Sequence, residues 1–125
     1  MQDAVGLDEA HLEALVRGFY TRARQDPVLG PVFAVAVTDW EHHLQVVTDF
    51  WSRILLGSQR YFGSPYTAHM RLPLQPAHFD RWLALFREAA ADFLPPDAAV
   101  TAVAKAEMMA ASFKAGLEGA SLSAP

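Results

Sequence analysis

Apolar side chains recur in this chain at intervals of three and four, and prolines cut the recurrences into helix-length pieces. Leu12, Leu15, Val16, Phe19, Tyr20 and Ala23 follow the i, i+3, i+4, i+7 rhythm of one helical face. The rhythm returns in Trp40, Leu44, Val47, Phe50, Trp51, Ile54 and Leu55, and in Phe79, Trp82, Leu83, Phe86, Ala90 and Phe93. It returns again in Val100, Val103, Ala104, Met108 and Ala111, with Met109 and Phe113 beside them. Nowhere do apolar and polar residues alternate long enough to make a convincing strand. An all-α chain is therefore expected.

Local signals set the boundaries. Asp8 is expected to cap a first helix that reaches Gln25 and ends at Asp26-Pro27, because the residue before proline disfavours the α region. Leu29 to Phe33 reads as a tight corner or a single turn. Thr38 or Asp39 caps the next helix, which Gly57 stops after Leu56. A loop from Gly57 to Ser64 leads to a short helix over Pro65–Arg71. Pro76 suits the first turn of the following helix, and Pro95-Pro96 breaks it. Asp97 is expected to cap the last helix, which runs to about Leu117, with a loose tail beyond it and a loose stretch before Asp8.

With 125 residues, 52% of them hydrophobic, the chain can bury one core and is expected to form one domain over residues 1–125. Its net charge of −4, with basic residues scattered singly, gives nothing to draw nucleic acid or an anionic membrane. It has no cysteine, which excludes disulfides, thiolate catalysis, iron–sulfur clusters and covalent haem attachment. A reducing, cytoplasmic setting fits that composition. The acidic start Met1-Gln2-Asp3-Ala4 does not read as a signal peptide, and no apolar run has the length of a membrane helix. No exposed apolar stripe stands out, so a monomer is the default expectation.

Chemistry concentrates around two histidines. His42 and His43 are neighbours, so on a helix they point roughly 100° apart. His43 is in register with Val47, Phe50, Trp51 and Ile54, so it is expected to face inward while His42 is wet. Such a residue is commonly a hydrogen-bonded packing histidine. His69 closes the run Tyr61-Phe62-Gly63-Ser64-Pro65-Tyr66-Thr67-Ala68-His69, on a helix too short to need it for packing. The ordinary reading there is a surface histidine.

The two do not have the i, i+4 spacing of a zinc helix, and His11 and His78 stand on other helices with no cysteine to complete a structural zinc site. A haem iron, by contrast, needs one imidazole and apolar walls. Phe19, Phe33, Phe50, Trp51, Phe79 and Phe86 could supply walls, although aromatic stripes also make plain cores. Tyr20 and Trp82 each carry a polar N–H or O–H on an apolar stripe. They could bond backbone carbonyls, or they could donate to a ligand in a pocket. A donor to a charged acceptor is worth about 1.5–3 kcal/mol.

Several fragments then combine. They are Phe19-Tyr20 with Asp26-Pro27-x-Leu29-Gly30-Pro31-x-Phe33, and Trp40-x-x-His43 with Phe50-Trp51 and Leu55-Leu56-Gly57. Further on come Tyr61-x-Gly63-x-Pro65-x-x-x-His69, Leu72-Pro73 and Phe79-x-x-Trp82-Leu83-x-Leu85-Phe86. In this order they make the chain resemble the truncated haemoglobins, most closely the third group, from about Leu12 to Phe113.

The resemblance implies a two-over-two helical sandwich around haem b, iron protoporphyrin IX. It implies His69 as the proximal iron ligand, Tyr20 and Trp82 as distal donors, and His43 as a residue beside the ligand or gating it. Val47, Phe50 and Trp51 match pocket walls, and Phe33 matches a phenylalanine packed on the haem face. Tyr61 and Arg71 are our own assignment to the propionates. The paired glycines of many other truncated globins are absent, and Gly57 and Gly63 stand singly.

The implied function is binding of dioxygen and other diatomic ligands such as NO and CO. A distal site with two donors implies slow release, which suits oxygen or NO chemistry better than oxygen transport. The alternative is a haem enzyme, an NO dioxygenase or a peroxidase-like catalyst, which would need an external reductase because the chain has no flavin or nicotinamide domain. A sensor would need an output domain that 125 residues do not accommodate. A helical bundle without haem is the bland remaining reading.

Overall fold

A computed structural model describes residues 7–61 and 74–123, with side chains in the last helix described as far as Leu117. Among these residues there are five helices and no strand: α1 Glu9–Gln25, α2 Gly30–Ala36, α3 Trp40–Leu56, α4 Pro76–Phe93 and α5 Pro96–Ser123. The short helix expected over Pro65–Arg71 lies outside the described residues.

The capping signals act largely as expected. The Asp8 carboxylate accepts the N–H of His11 at 3.1 Å, while His11 Nδ1 accepts the N–H of Asp8 at 3.3 Å. This reciprocal box satisfies two of the helix's otherwise unpaired donors. Asp39, rather than Thr38, caps α3 by accepting the N–H of His42 at 3.1 Å. His78 takes the role of His11 at the head of α4, where its Nδ1 accepts the N–H of Gln75 at 2.9 Å. Both histidines left over by the zinc argument thus serve helix ends. Gly57 ends α3 at φ +75°, a left-handed conformation that favours glycine.

Three boundaries differ from expectation. The corner after Leu29 is a seven-residue helix, α2, which continues past Phe33 to Ala36. Asp97 lies inside the first turn of α5, which starts at Pro96, so it acts there through its charge and not as the cap. That helix also runs past Leu117 to Ser123.

α1 is the hub, packing on α2, α3 and α4, while α5 lies along α4 and touches α3. The result is one helical pair, α1 and α3, against another, α4 and α5. All six residues of the α1 stripe are buried. α1 and α4 come close enough at Gly18 that a side chain there would collide with the Phe93 ring.

The face of α5 is a correction. Of the expected stripe, Val103 is half-buried against the core, while Val100, Ala104, Met108 and Ala111 point away from it, with Val100 72% and Met108 66% exposed. Ala102, Ala106, Ala110 and Phe113 are the buried residues instead. The apolar residues of α5 are spread around the helix, so periodicity could not choose a face; three alanines one turn apart let the helix lie close against α4. An exposed apolar stripe does therefore exist, and the ground for expecting a monomer is lost.

Candidate functional site

α3 and α4 do not meet backbone to backbone; side chains span the gap between them. On α3 the fully buried positions are Leu44, Thr48, Trp51 and Ser52, while His43, Val47, Phe50 and Ile54 are half-buried along the neighbouring edge. Two of the buried residues are polar, which the apolar stripe could not foretell. Thr48 Oγ1 donates to the Leu44 carbonyl at 2.7 Å. Ser52 donates to Glu9 at 2.6 Å, and Arg60 joins Glu9, Ser52 and Asp49 to pin the loop after α3 onto α1.

Aromatic rings bridge the gap. Trp51 stacks on Phe86 at 4.9 Å and 21°, and Phe86 stacks on Trp82 at 5.3 Å and 17°. These three, with Leu15, Val16, Phe19, Tyr20 and Val47, line a cavity of about 20 Å³. That is room for one water-sized or diatomic molecule.

Tyr20 forms one wall and is 7% exposed. Burial alone pushes its phenol well above the ordinary tyrosine range, so it remains a protonated donor. Among the described residues no hydrogen bond engages its hydroxyl or the Trp82 indole N–H. Tyr20 and Trp82 thus line the same cavity.

On the far side of Tyr20 stand three more rings. Phe33 is 5.3 Å away, Trp40 5.6 Å and His43 5.1 Å. His43 faces inward as expected, with Nε2 fully shielded from solvent, while His42 is exposed. α2 brings Phe33 here because Asp26 holds the chain at its start. One Asp26 oxygen accepts the N–H groups of Val28 and Leu29, each at 3.0 Å, and the other takes the Arg81 guanidinium at 2.6 Å. The Arg81 hydrogen bond, more than the backbone bonds, holds the Asp26 carboxyl below the usual carboxylate range.

Of the remaining site residues, Tyr61 packs its ring on Phe50 at 5.2 Å, where partial burial raises its phenol. Phe79 does not line the cavity; it packs with Phe113 at 5.6 Å in a separate cluster between α4 and α5. His69 and Arg71 lie outside the described residues. Sequence reasoning missed two contacts. Asp26–Arg81 joins residues far apart in the chain, and the exposed Arg24 lies over the Trp40 ring at 4.2 Å.

A flat apolar cofactor suits this donor set and these walls. The half-buried α3 edge is apolar, the neighbouring rings are flat, and the polar groups are two donors and an imidazole, with no carboxylate among them.

Comparison with known proteins gives that arrangement a family. The model for bacterial-like globins matches residues 1–114. The group 3 truncated hemoglobin ctb of Campylobacter jejuni subsp. jejuni is 31% identical over 113 residues, covering 86% of this chain and 89% of that protein. The crystal structure of group III truncated hemoglobin from Campylobacter jejuni matches with a TM-score of 0.83 at 30% identity, covering 89% of this chain and 91% of that one. The fold is thus a truncated globin. The chain belongs to the bacterial-like globin family and, within it, to the third group of truncated haemoglobins. Haem and the binding of diatomic gases come with that membership.

Proposed function

We propose that this globin holds haem b through His69 and presents a diatomic ligand to two donors, Tyr20 and Trp82. The observation that carries the reading is Tyr20, 7% exposed on the wall of a cavity of about 20 Å³, with no hydrogen bond to its hydroxyl among the described residues. A polar guest in the cavity would give that donor a partner. Trp82 lines the same cavity and adds an N–H.

The absence of cysteine favours non-covalent haem b over a thioether-linked form. Bound there, haem iron supplies reversible coordination of a small gas at one open position. Val47, Phe50 and Trp51 furnish apolar wall, Phe33 backs Tyr20, and Tyr61 and Arg71 meet the propionates. Two donors retain the ligand, so release is slow and oxygen or NO chemistry suits the site better than transport. Repeated turnover then draws electrons from a reductase.

The test is spectroscopic. Purified protein reconstituted with haem is expected to give a Soret band that responds to CO. His69→Ala is expected to abolish or greatly weaken the coordination bond and shift the spectrum. A wild-type protein with no Soret band, or a His69→Ala spectrum identical to wild type, overturns the assignment.

A further inference from the structure

The His43 ring is clamped from two sides. It meets Tyr20 edge-to-face at 5.1 Å and 83°, and Trp40 at 5.6 Å and 85°. Trp40 also touches Tyr20 at 5.6 Å and Phe33 at 6.2 Å, so the four rings close a box beside the cavity wall. Trp40 touches all three of the other rings. It is half-buried at the first turn of α3, and its exposed side carries the Arg24 guanidinium at 4.2 Å.

Arg17, Arg22, Arg60, Arg81 and Arg87 each pair with a carboxylate, whereas among the described residues Arg24 and Arg53 have none, and of these two it is Arg24 that lies over an aromatic ring. Its backbone is fixed as well. The start of α2 folds back so closely that a Cβ on Gly30 would lie 2.7 Å from the Arg24 carbonyl oxygen. A guanidinium with no anionic partner, on an anchored stretch of backbone, is free to spend its time on the indole face.

We propose that Trp40, pinned by Arg24, is a positioning residue that sets the barrier to ligand access at the corner of α1, α2 and α3. Trp40 packs edge-to-face on His43, so the imidazole leaves its place beside Tyr20 on that side only when the indole gives way. On the opposite side of the cavity the Trp51–Phe86–Trp82 stack forms the wall. Opening at the corner therefore breaks the Arg24–Trp40 contact first and moves His43 second. The ligand-access part of this proposal rests on the haem reading above; the grip of Trp40 on His43 does not.

The experiment uses haem-loaded protein and two readouts. Flash photolysis gives the CO association rate, and mass spectrometry gives the rate at which diethyl pyrocarbonate modifies His43 relative to exposed His42. Arg24→Gln is expected to raise both about three- to tenfold, and Arg24→Lys, which keeps a cation, to leave both nearer the wild-type values. Trp40→Ala is expected to raise both by about tenfold or more. A purely structural role would lower the unfolding temperature and leave both readouts where they were in folded protein. Unchanged CO association and unchanged His43 labelling in Arg24→Gln and Trp40→Ala overturn the proposal. A protein without a Soret band overturns the haem reading and the access barrier with it, while the labelling ratio still reports the clamp on His43.

Discussion

At the scale of single residues, the informative ones are polar groups placed where apolar side chains would have been adequate for stability. Tyr20 could be phenylalanine and still fill its place among Phe19, Phe33, Trp40 and His43. Among the described residues its hydroxyl makes no hydrogen bond, so the fold gains little from it. Tyr20→Phe is therefore expected to keep or slightly raise thermal stability while accelerating dioxygen dissociation. Loss of one donor to a polarised ligand is worth about 1.5–3 kcal/mol, or roughly ten- to a hundredfold in off-rate. Stopped-flow displacement of dioxygen by CO measures it, and an unaltered off-rate removes Tyr20 from the role. The position of Tyr20 was legible because it falls on a clean helical stripe. The position of His43 was legible for the same reason, by its register with Val47 and Phe50.

At the scale of elements, the site depends on how α2 and α4 are held against α1. Asp26 does this with one carboxylate, capping the turn into α2 with one oxygen and gripping Arg81 of α4 with the other. The Asp26 side chain is 2% exposed. Asp26→Ala is expected to cost about 1–3 kcal/mol, because the Val28 and Leu29 N–H groups lose their acceptor in a largely dry place. Urea unfolding checks it. α2 carries Phe33, so the same variant is expected to loosen the ring box around Tyr20. Asp-Pro marked a helix end in the sequence, and it is one. That the carboxylate also binds Arg81 was not legible, since nothing in local spacing ties residues on α1 and α4 together. Helix ends were read well where a cap has a chemical signature, at Asp8, Asp39 and Gly57. They were read less well at α2, whose run of Pro31, Val32, Phe33, Ala34 and Val35 offers neither a polar face nor a cap.

At the scale of the whole molecule, stability is expected to hold through neutral pH and fall at both extremes. Asp26, Asp8 and Glu41 have carboxyls held below their ordinary range by hydrogen-bonded partners. Their stabilisation is present above the unfolded values, near 4, and is lost as pH falls through the depressed folded values. Tyr20 acts in the opposite direction. Its phenol is raised, so stability is constant below the unfolded value near 10 and declines as pH climbs beyond it. Thermal melts across pH are expected to flatten on the acid side in Asp26→Asn and on the alkaline side in Tyr20→Phe.

The sequence by itself determined the helical class, most helix limits and the buried face of α1, because periodicity, caps and proline act within a few residues of where they stand. Tertiary structure decided the rest. The apolar residues of α5 are spread around the helix, so only the close approach of α4 selects Ala102, Ala106 and Ala110 over Val100 and Met108. Ser52, Asp26 and Arg24 have partners on other helices or loops, and Trp40 has its cation on another helix. Interactions between elements exist only once the elements have met, so no spacing along the chain encodes them.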